Sequence, residues 1–259
     1  MNRDLNPIDY NRKAWDGLVR AGNRWTTPFS SEQIQKASQG ILELVLTPCK
    51  HVPDNWYPPK GARVLALASG GGQQVPLLAA AGYDVVSYDN SESQLDQDMK
   101  TSLANGLSIQ CVHGDMNDLS CLEANSFDMV FNPCSTGFVP DVANVYKQVS
   151  RVLKPGGLFM TGFVKPVYYL FDVRLVEKGE FKLKYNQPYS DLESLDDDEL
   201  AIFMNANEPL VYGHSLTAHI KGQLDAGLEL VDMFEDYWGE NNPLDNHFPG
   251  FIATLSIRK

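Results

Sequence analysis

The sequence predicts an α/β protein built on a doubly wound, mostly parallel sheet. Two patterns between residues 61 and 165 carry this prediction: apolar runs alternate with segments of helical period, and glycines follow most of the helical segments. A parallel strand is covered on both faces, so a continuous apolar run such as "ARVLALAS" at 62–69 is typical of one. Strand and helix patterns return after residue 213 and extend the same sheet.

Strands and helices follow one another in a regular order through this region. The predicted strands are 62–69, 83–89, 107–115, 126–134 and 158–164. The predicted helices are 73–82, 90–106 and 140–154. Gly82 and Gly106 are expected to end the first two helices. The second helix is predicted to bury the apolar stripe of Leu95, Met99 and Leu103, which stand four apart.

The alternation is interrupted at 166–212, which is predicted to be an insertion. Its predicted elements are short strands at 179–186 and 209–215 around an acidic helix at 196–204. The elements that follow are a helix at 215–227 and strands at 228–238 and 251–259. Because only a loop joins these two strands, they are predicted to be antiparallel. The sheet then has seven strands, and its last strand is antiparallel.

Residues 1–60 form a separate segment ahead of the first strand. Helices are predicted at 11–22 and 30–46, the second opened by a capping pattern of Ser30 and Gln33. A loop rich in proline follows at 47–61. The segment is unusually aromatic, with Tyr10, Trp15, Trp25, Trp56 and Tyr57. These side chains either pack against the sheet or form part of a ligand site.

Composition argues against several classes of partner. The chain of 259 residues carries a formal net charge of −12, which repels the phosphates of nucleic acids. No apolar stretch is long enough to span a bilayer, and the first residues lack the apolar core of a secretory signal. The four cysteines are scattered, so neither a disulfide framework nor a zinc site is expected. We expect a cytoplasmic protein that holds no metal and binds neither nucleic acid nor membrane. The sequence patterns carry no indication of its oligomeric state.

Three consecutive glycines, Gly70 to Gly72, stand where the first strand passes into the first helix. In an open α/β sheet this turn lies at the carboxyl edge, where ligands bind, and glycines let a ligand approach the backbone. A tight turn without a ligand is the simpler alternative. Asp89 at the end of the second strand favours a ligand, because a carboxylate there accepts both hydroxyls of a ribose.

The motif distinguishes three kinds of nucleotide site. A P-loop needs a lysine for the phosphates, and "ASGGGQQV" has none. A dinucleotide turn needs the pattern GxGxxG, and Val75 occupies the third glycine position. The remaining interpretation is S-adenosylmethionine, which has a ribose and an adenine but no phosphate.

Five segments in order resemble the class I S-adenosylmethionine-dependent methyltransferases. They are "VLALASGGG" (64–72), "VSYDNS" (86–91), "GDMNDL" (114–119), "FDMVFNPCST" (127–136) and "VSRVLKPGGLFMTG" (149–162). The first is similar to the glycine-rich motif of the family, and the last to its R-x-L-K-P-G-G entry into the fifth strand. The resemblance covers residues 61 to 164. It implies a Rossmann-like fold, S-adenosylmethionine as cofactor, and methyl transfer as the activity.

The resemblance also implies which residues hold the cofactor. Asp89 would bind the ribose diol, and Asp115 with the Met116 backbone N–H would bind the adenine. Asn132 at the end of the fourth strand would face the methyl group and the substrate. Gln73 would contact the cofactor or orient the N-terminal segment. The full implied set is Ala68, Ser69, Gly70, Gly72, Gln73, Asp89, Asn90, Asp115, Met116 and Asn132.

The first motif departs from the family at two positions. Ala66 stands where the family has an acidic residue, and Ala68 stands where it has its first glycine. The amino group of the cofactor is therefore expected to be held by backbone carbonyls or by another side chain. Asp16 and Asn132 are the candidates.

The break in the alternation and the aromatic N-terminal segment predict a three-part organisation. The cofactor domain is 61–165 with 213–259, and 1–60 is expected to act as a lid over it. The insertion at 166–212 is expected to be a cap that completes the acceptor pocket. Closure of such a site excludes water and aligns the acceptor, which supplies much of the acceleration of an in-line displacement.

The acceptor is expected to be a small molecule with an oxygen, nitrogen or carbon nucleophile. No catalytic base is identified; the candidates are Tyr10, Asn132 and His214. "FNPC" lacks the second proline and the aromatic residue found in methyltransferases that act on nucleic acid amino groups. Two other functions stay open: an NAD-dependent oxidoreductase on a similar sheet, and a protein that binds S-adenosylmethionine without catalysis.

Overall fold

A seven-stranded sheet lies at the centre of the structure, a computed structural model that describes residues 5–239 and 241–259. The strands in this part of the chain are β1 (Arg63–Leu67), β2 (Asp84–Asp89), β3 (Gln110–His113), β4 (Phe127–Asn132), β5 (Leu153–Val164), β6 (Tyr189–Ser190), β7 (Tyr212–Gly213), β8 (Leu228–Asp236) and β9 (Phe251–Arg258). The order in the large sheet is β3-β2-β1-β4-β5-β9-β8, and β6 pairs with β7 separately. In the large sheet, strand β9 is antiparallel to both of its neighbours, and the other pairs are parallel. The predicted mostly parallel sheet with an antiparallel last strand is confirmed.

Helices cover both faces of this sheet. The helices in the described part of the chain are α1 (Pro7–Ala21), α2 (Ser31–Ser38), α3 (Gln74–Ala80), α4 (Glu92–Ala104), α5 (Val142–Val152), α6 (Val173–Val176), α7 (Asp191–Ser194), α8 (Asp197–Asn205) and α9 (Leu216–Asp225). Of these, α6, α7 and α8 belong to the insertion. Within the described residues, no helix combines the length and apolar character needed to cross a membrane.

Strand β1 shows why the apolar runs are continuous. Val64 and Ala66 belong to the core cluster that includes residues of α2 and α3. Leu65 and Leu67 belong to the cluster on the other face, with residues of α5. All four side chains are fully buried. Because successive side chains of a strand point to opposite faces, a strand covered on both faces needs an apolar residue at every position.

The second predicted helix of the N-terminal segment is much shorter than expected. Helix α2 ends at Ser38, and Gly40 adopts a φ of 93°. The chain then runs extended, and Leu44 and Leu46 are buried in alternation. An apolar run such as "ILELVL" fits either a helix or a strand, and its period of two places the alternate leucines in the core. The prediction of a helix through residue 46 is wrong.

The first helix and the fifth strand both begin earlier than predicted. Helix α1 starts at Pro7, because the Asn6 side chain caps it by accepting a hydrogen bond from the Ile8 N–H at 3.0 Å. Strand β5 starts at Leu153, which pairs with Phe127 before the proline–glycine turn. Strand β3 is shorter than predicted and lies at the edge of the sheet, where only β2 pairs with it.

The insertion contains less regular strand structure than expected. The predicted strand at 179–186 is wrong: it forms only one isolated bridge, between Leu183 and Phe171. The predicted strand at 209–215 is reduced to the two residues of β7. The acidic helix is confirmed as α8, with a capping box of Asp196 and Glu199.

Candidate functional site

A cavity of about 450 Å³ opens at the carboxyl ends of β1, β2 and β4. The strand order reverses at β1, which has β2 on one side and β4 on the other, and ligands of open α/β sheets bind at such a switch point. Trp15 and Trp25 of the N-terminal segment line the cavity, as do aromatic residues of the insertion. Sheet, N-terminal segment and insertion therefore share one cavity.

The glycines of the turn after β1 are packed too closely to accept side chains. Ala68 has a φ of 48°, in the left-handed region. A Cβ added to Gly70 would lie 2.7 Å from the Gln94 Cβ and 3.1 Å from Asp89 Oδ2. Ala68, Ser69 and Gly70 line the cavity. The absence of a side chain at Gly70 leaves room for both the α4 helix and the Asp89 carboxylate.

Asp89 sits at the end of β2 with its carboxylate on the cavity. Its Oδ1 accepts a hydrogen bond from the Ser91 N–H at 2.8 Å, and its Oδ2 accepts one from the Gly70 N–H at 3.3 Å. Burial raises the pKa of this carboxyl to about 6. A carboxylate oxygen accepts about two hydrogen bonds, so each oxygen can take one more from a ligand.

Helix α4 presents a polar face to the glycine turn. The predicted burial of an apolar stripe is confirmed at Leu95, which is buried, but is wrong at Leu103, which is 65% exposed. The buried face carries Gln94, Asp98 and Ser102, four residues apart. Their spacing is the sequence signal that could have identified this face, since three polar residues at a helical period line up on one side.

Asp98 holds the far side of the turn, and sequence reasoning missed it. The side chain is fully buried. Its Oδ1 accepts a hydrogen bond from the Gly72 N–H at 2.7 Å, and its Oδ2 accepts one from the Ser87 hydroxyl at 2.7 Å. Burial raises the pKa of Asp98 to about 8. Gly72 therefore packs against α4 and does not line the cavity, contrary to its predicted contact with the cofactor.

The next strand ends bring three more predicted residues to the cavity. Asn90, Asp115 and Met116 all line it. The Asn90 side-chain amide donates to the Ile8 carbonyl oxygen at 3.1 Å, which ties β2 to the N-terminal segment. Asp115 Oδ1 accepts a hydrogen bond from the Asn117 N–H at 3.0 Å, which orients the carboxylate.

Two buried polar atoms beside the turn have no hydrogen-bond partner among the described residues. They are Ser69 Oγ and Gln94 Oε1, and both residues line the cavity. Buried polar atoms are normally paired, so unpaired atoms at a cavity indicate a polar ligand. Together with the Asp89 and Asp115 carboxylates they suit a nucleoside that carries a polar amino acid part, which is the chemistry of S-adenosylmethionine.

Comparisons with known proteins agree with this chemistry. A family profile described as a methyltransferase domain matches residues 65–161. YbaJ, an uncharacterized methyltransferase of Bacillus subtilis, is 44% identical over 252 residues, which are 97% of this chain and 98% of that protein. A sterol 24-C-methyltransferase of Aspergillus fumigatus is 34% identical over 103 residues, which are 39% of this chain and 27% of that protein. The crystal structure of an S-adenosylmethionine-dependent methyltransferase from Mesorhizobium loti has a TM-score of 0.58 at 17% identity, over 79% of this chain and 94% of that one.

The chain belongs to the class I S-adenosylmethionine-dependent methyltransferases. S-adenosylmethionine is its cofactor. The family assignment supports an enzyme over a protein without catalysis, and methyl transfer over an NAD-dependent oxidoreductase. The Mesorhizobium structure bears on the fold alone, whereas the Bacillus relative extends the family assignment over the N-terminal segment and the insertion.

Two adjacent glutamines fasten the N-terminal segment of the methyltransferase to the sheet. The Gln73 side-chain amide donates to the carbonyl oxygens of Arg24 and Thr27, both at 2.8 Å. Gln74 Oε1 accepts a hydrogen bond from the Val45 N–H at 3.1 Å. Of the two roles expected for Gln73, these bonds correspond to the orientation of the segment, and its side chain also borders the cavity.

Asn132 lies behind the cavity wall of the methyltransferase, not on it. Its side chain is fully buried, and its Nδ2 donates to the Leu67 carbonyl oxygen at 2.8 Å and to Ser135 Oγ at 2.7 Å. Its Oδ1 accepts a hydrogen bond from the Thr161 hydroxyl at 3.0 Å. The amide thus joins β1, β4 and β5, and the expectation that it faces the methyl group is corrected. Pro133, Cys134 and Ser135 line the cavity in its place.

Asp16 is also placed away from the cavity. Its Oδ1 accepts hydrogen bonds from the Ser91 hydroxyl at 2.6 Å and from the Ser93 N–H at 3.2 Å. The carboxylate therefore caps the N-terminus of α4, where the helix dipole favours a negative charge, and it links α4 to α1. The expected contact with the amino group of the cofactor is corrected by this position.

The remaining candidates for a catalytic base do not border the cavity either. Tyr10 packs against a core cluster of the insertion, and burial raises its pKa. His214 Nε2 lies 2.9 Å from the Val139 carbonyl oxygen, and burial lowers the pKa of this imidazole. Neither side chain is among the described residues that line the cavity.

A large part of the cavity wall is aromatic. The rings that line it belong to the insertion and to the segment before β9, and they are Tyr168, Tyr169, Phe171, Tyr185, Tyr189, Phe203 and Trp238. Tyr169 stacks on Tyr189 with 5.4 Å between ring centroids, and Tyr185 meets Tyr189 edge to face at 5.2 Å. We call this part of the cavity the aromatic chamber. Among the described residues that line the whole cavity, none is Lys, Arg or His, and three are aspartates: Asp89, Asp115 and Asp191.

Proposed function

We propose that this methyltransferase methylates a small apolar molecule, bound singly in the aromatic chamber, at an oxygen, nitrogen or carbon nucleophile. The continuity of the cavity carries this proposal. The same space is bordered by Asp89 and Ser69 at the sheet and by Tyr169 and Tyr189 in the insertion. An acceptor among these rings would share one cavity with a cofactor at the glycine turn, and a volume of about 450 Å³ suits individual small molecules.

The residues at the sheet edge suit the cofactor in three places. We assign the ribose hydroxyls to the Asp89 carboxylate, the adenine to Asp115 and Met116, and the amino acid part to Ser69 and Gly70. When bound, S-adenosylmethionine supplies a methyl group on a positively charged sulfur. The aspartates and aromatic faces of the cavity stabilise positive charge, and no described cation on its wall opposes it.

The work left to the chain is positioning and the exclusion of water. Trp15 and Phe138 meet edge to face with 5.1 Å between ring centroids, and both line the cavity. Asn11 joins the N-terminal segment to the insertion, because its Nδ2 donates to the Leu210 carbonyl oxygen at 2.9 Å and its Oδ1 accepts from the Leu210 N–H at 2.8 Å. These bonds join the two segments that we propose as lid and cap, and a closed site would favour in-line transfer by proximity.

Charge and redox state support the rest of the proposal. The net charge of −12 and the lack of described cations on the cavity wall disfavour a nucleic acid acceptor. All four cysteines are free thiols, which suits a reducing cytoplasm. The sterol methyltransferase among the relatives is named for an apolar acceptor with rings, which is the kind of molecule that the aromatic chamber would accept.

Calorimetric titration with S-adenosylhomocysteine tests the cofactor site. Asp89→Ala removes both acceptors for the ribose, and two charge-assisted hydrogen bonds correspond to about a hundredfold rise in Kd. The matched control is Asp96→Ala, which removes an exposed carboxylate from α4. Because Asp89 also accepts from two backbone N–H groups, thermal unfolding of each variant must show a folded protein. Equal affinities for the two variants would contradict the assignment.

Detection of S-adenosylhomocysteine formation tests the acceptor class. The purified enzyme with S-adenosylmethionine is screened against apolar small molecules, against RNA and DNA, and against proteins. We expect turnover with members of the first group, with the mass gain of one methylene on the acceptor. Turnover confined to nucleic acid or protein would overturn the proposal.

A further inference from the structure

One carboxylate in the aromatic chamber has no part in the cofactor site. Asp191 begins α7, is 1% exposed to solvent, and lines the cavity together with Tyr189 and Val211. Asp89 and Asp115 lie at the strand ends, whereas Asp191 belongs to the insertion. A negative charge is therefore present where an acceptor would lie.

Hydrogen bonds fix the orientation of this carboxylate. Oδ1 accepts a bond from the Tyr189 hydroxyl at 2.7 Å, and Oδ2 accepts one from the Val211 N–H at 2.7 Å. The Asp191 N–H itself donates to the Val211 carbonyl oxygen at 3.1 Å. Each carboxylate oxygen keeps a lone pair for a further donor.

Among the described residues, no basic side chain forms an ion pair with Asp191. Arg174 and Lys184 of the insertion both pair with Glu199. Burial raises the pKa of Asp191 to about 6, which is the expected response of a buried carboxyl whose charge is not balanced by a cation. The surrounding groups are tyrosines, whose hydroxyls donate hydrogen bonds but carry no positive charge.

A structural role alone does not require the charge. Val211 needs one acceptor and Tyr189 needs one acceptor, and a neutral amide or hydroxyl meets such needs without placing an unbalanced ion in an apolar site. A ligand that brings a positive charge would balance the carboxylate, and the aromatic rings around it also attract cations. An anionic ligand would be repelled by all three aspartates of the cavity.

We propose that Asp191 anchors a protonated amine of the acceptor, so that the substrate class is an apolar or aromatic amine. This inference rests on the proposed small-molecule function. Asp191 acts as a specificity-determining residue: its carboxylate receives the ammonium group, and the rings of Tyr185 and Tyr189 pack against the adjoining apolar part. The anchor fixes the position of the acceptor. Because the protonated nitrogen has no lone pair, the methyl group goes to a different nucleophilic atom of the acceptor.

Binding of matched ligands to the wild-type enzyme saturated with S-adenosylhomocysteine tests the anchor. The probes are sets of three compounds on one apolar frame (phenyl, naphthyl, indolyl or cyclohexyl) ending in a primary amine, an alcohol or a carboxylate. We expect the amine to bind at least tenfold more tightly than the alcohol of the same set, and the carboxylate to bind most weakly. Amines that bind no better than their alcohols would overturn the inference and leave the small-molecule proposal intact.

Variants of the same helix locate the preference. Asp191→Asn should abolish the preference for the amine, and Asp191→Glu should retain most of it because the charge is kept. The matched control, Glu193→Gln, removes an exposed carboxylate from α7 and should change nothing. If Asp191→Asn folds and keeps the wild-type preference, the anchor is elsewhere and the inference fails. If no compound of any set binds to the wild-type complex, the proposed acceptor class fails as well.

Discussion

Replacement of Asp98 by asparagine tests how the glycine turn is supported. The side chain is fully buried between the Gly72 N–H and the Ser87 hydroxyl, and burial raises its pKa to about 8. Asparagine has the same shape as the protonated acid. Its oxygen can accept from Gly72, and its amide can donate to the Ser87 oxygen. The variant should therefore fold and keep the turn in place.

The expected signature is in the pH dependence of stability. An aspartate in the unfolded chain has a pKa of about 3.9, so between that value and about 8 the native protein binds one proton more than the unfolded chain. Because the native pKa is raised, the free energy of unfolding falls as pH increases. The contribution of Asp98 to stability is largest at low pH and is lost as pH rises towards 8. Each pH unit removes about 1.4 kcal/mol, so the wild type should lose about 2 kcal/mol relative to Asp98→Asn between pH 6 and pH 8.

Urea unfolding of both proteins at a series of pH values measures this difference. Groups that titrate in both proteins cancel in the comparison, which leaves the Asp98 carboxyl. The matched control is Asp96→Asn, which alters an exposed carboxylate of the same helix and should follow the wild-type profile. Parallel profiles for wild type and Asp98→Asn would refute the reasoning, because they would mean that Asp98 is charged at neutral pH in the folded protein.

Two further substitutions test the turn and the link between the N-terminal segment and the insertion. Gly70→Ala should weaken S-adenosylhomocysteine binding at least tenfold in titration calorimetry, because the new Cβ would lie 2.7 Å from the Gln94 Cβ. The control is Gly17→Ala in α1, where the new Cβ would make only an ordinary contact at 3.8 Å, and this variant should bind normally. Asn11→Leu should lower the free energy of unfolding by about 2–4 kcal/mol, because the buried backbone groups of Leu210 lose their partners. Unchanged affinity in the first case, or unchanged urea midpoints in the second, would contradict these contacts.

Much of the fold follows from local patterns because both faces of the sheet are covered. The four apolar residues that alternate along β1 could be buried only by layers on both sides, and this arrangement is the doubly wound sheet. Helix boundaries were predictable where a cap is explicit, as at Asp196 and Glu199. They were not predictable in "ILELVL", because an apolar run of that length suits a helix or a strand until tertiary contacts choose one.

The cofactor side of the site could also be predicted from local sequence patterns. Ser69, Gly70, Asp89, Asn90 and Asp115 all line the cavity, because the carboxyl ends of parallel strands must meet at one edge of the sheet. Residues in short, fixed relation to a strand end can thus be placed from sequence. Their individual contacts with the cofactor stay predictions.

Tertiary structure alone decided which polar side chains face the cavity and which pack behind it. Asn132 stands at a strand end like Asp89, yet its amide is used entirely to join three strands. Asp98 was unremarkable in the sequence of a polar helix, yet it supports the glycine turn. Asp191 meets Val211 across a separation of 20 residues, in an insertion with little regular structure. The sequence shows the local period of a segment, but long-range packing determines which neighbour satisfies each polar atom. The sequence therefore determined the sheet and its binding edge, whereas only the folded chain determined the aromatic chamber.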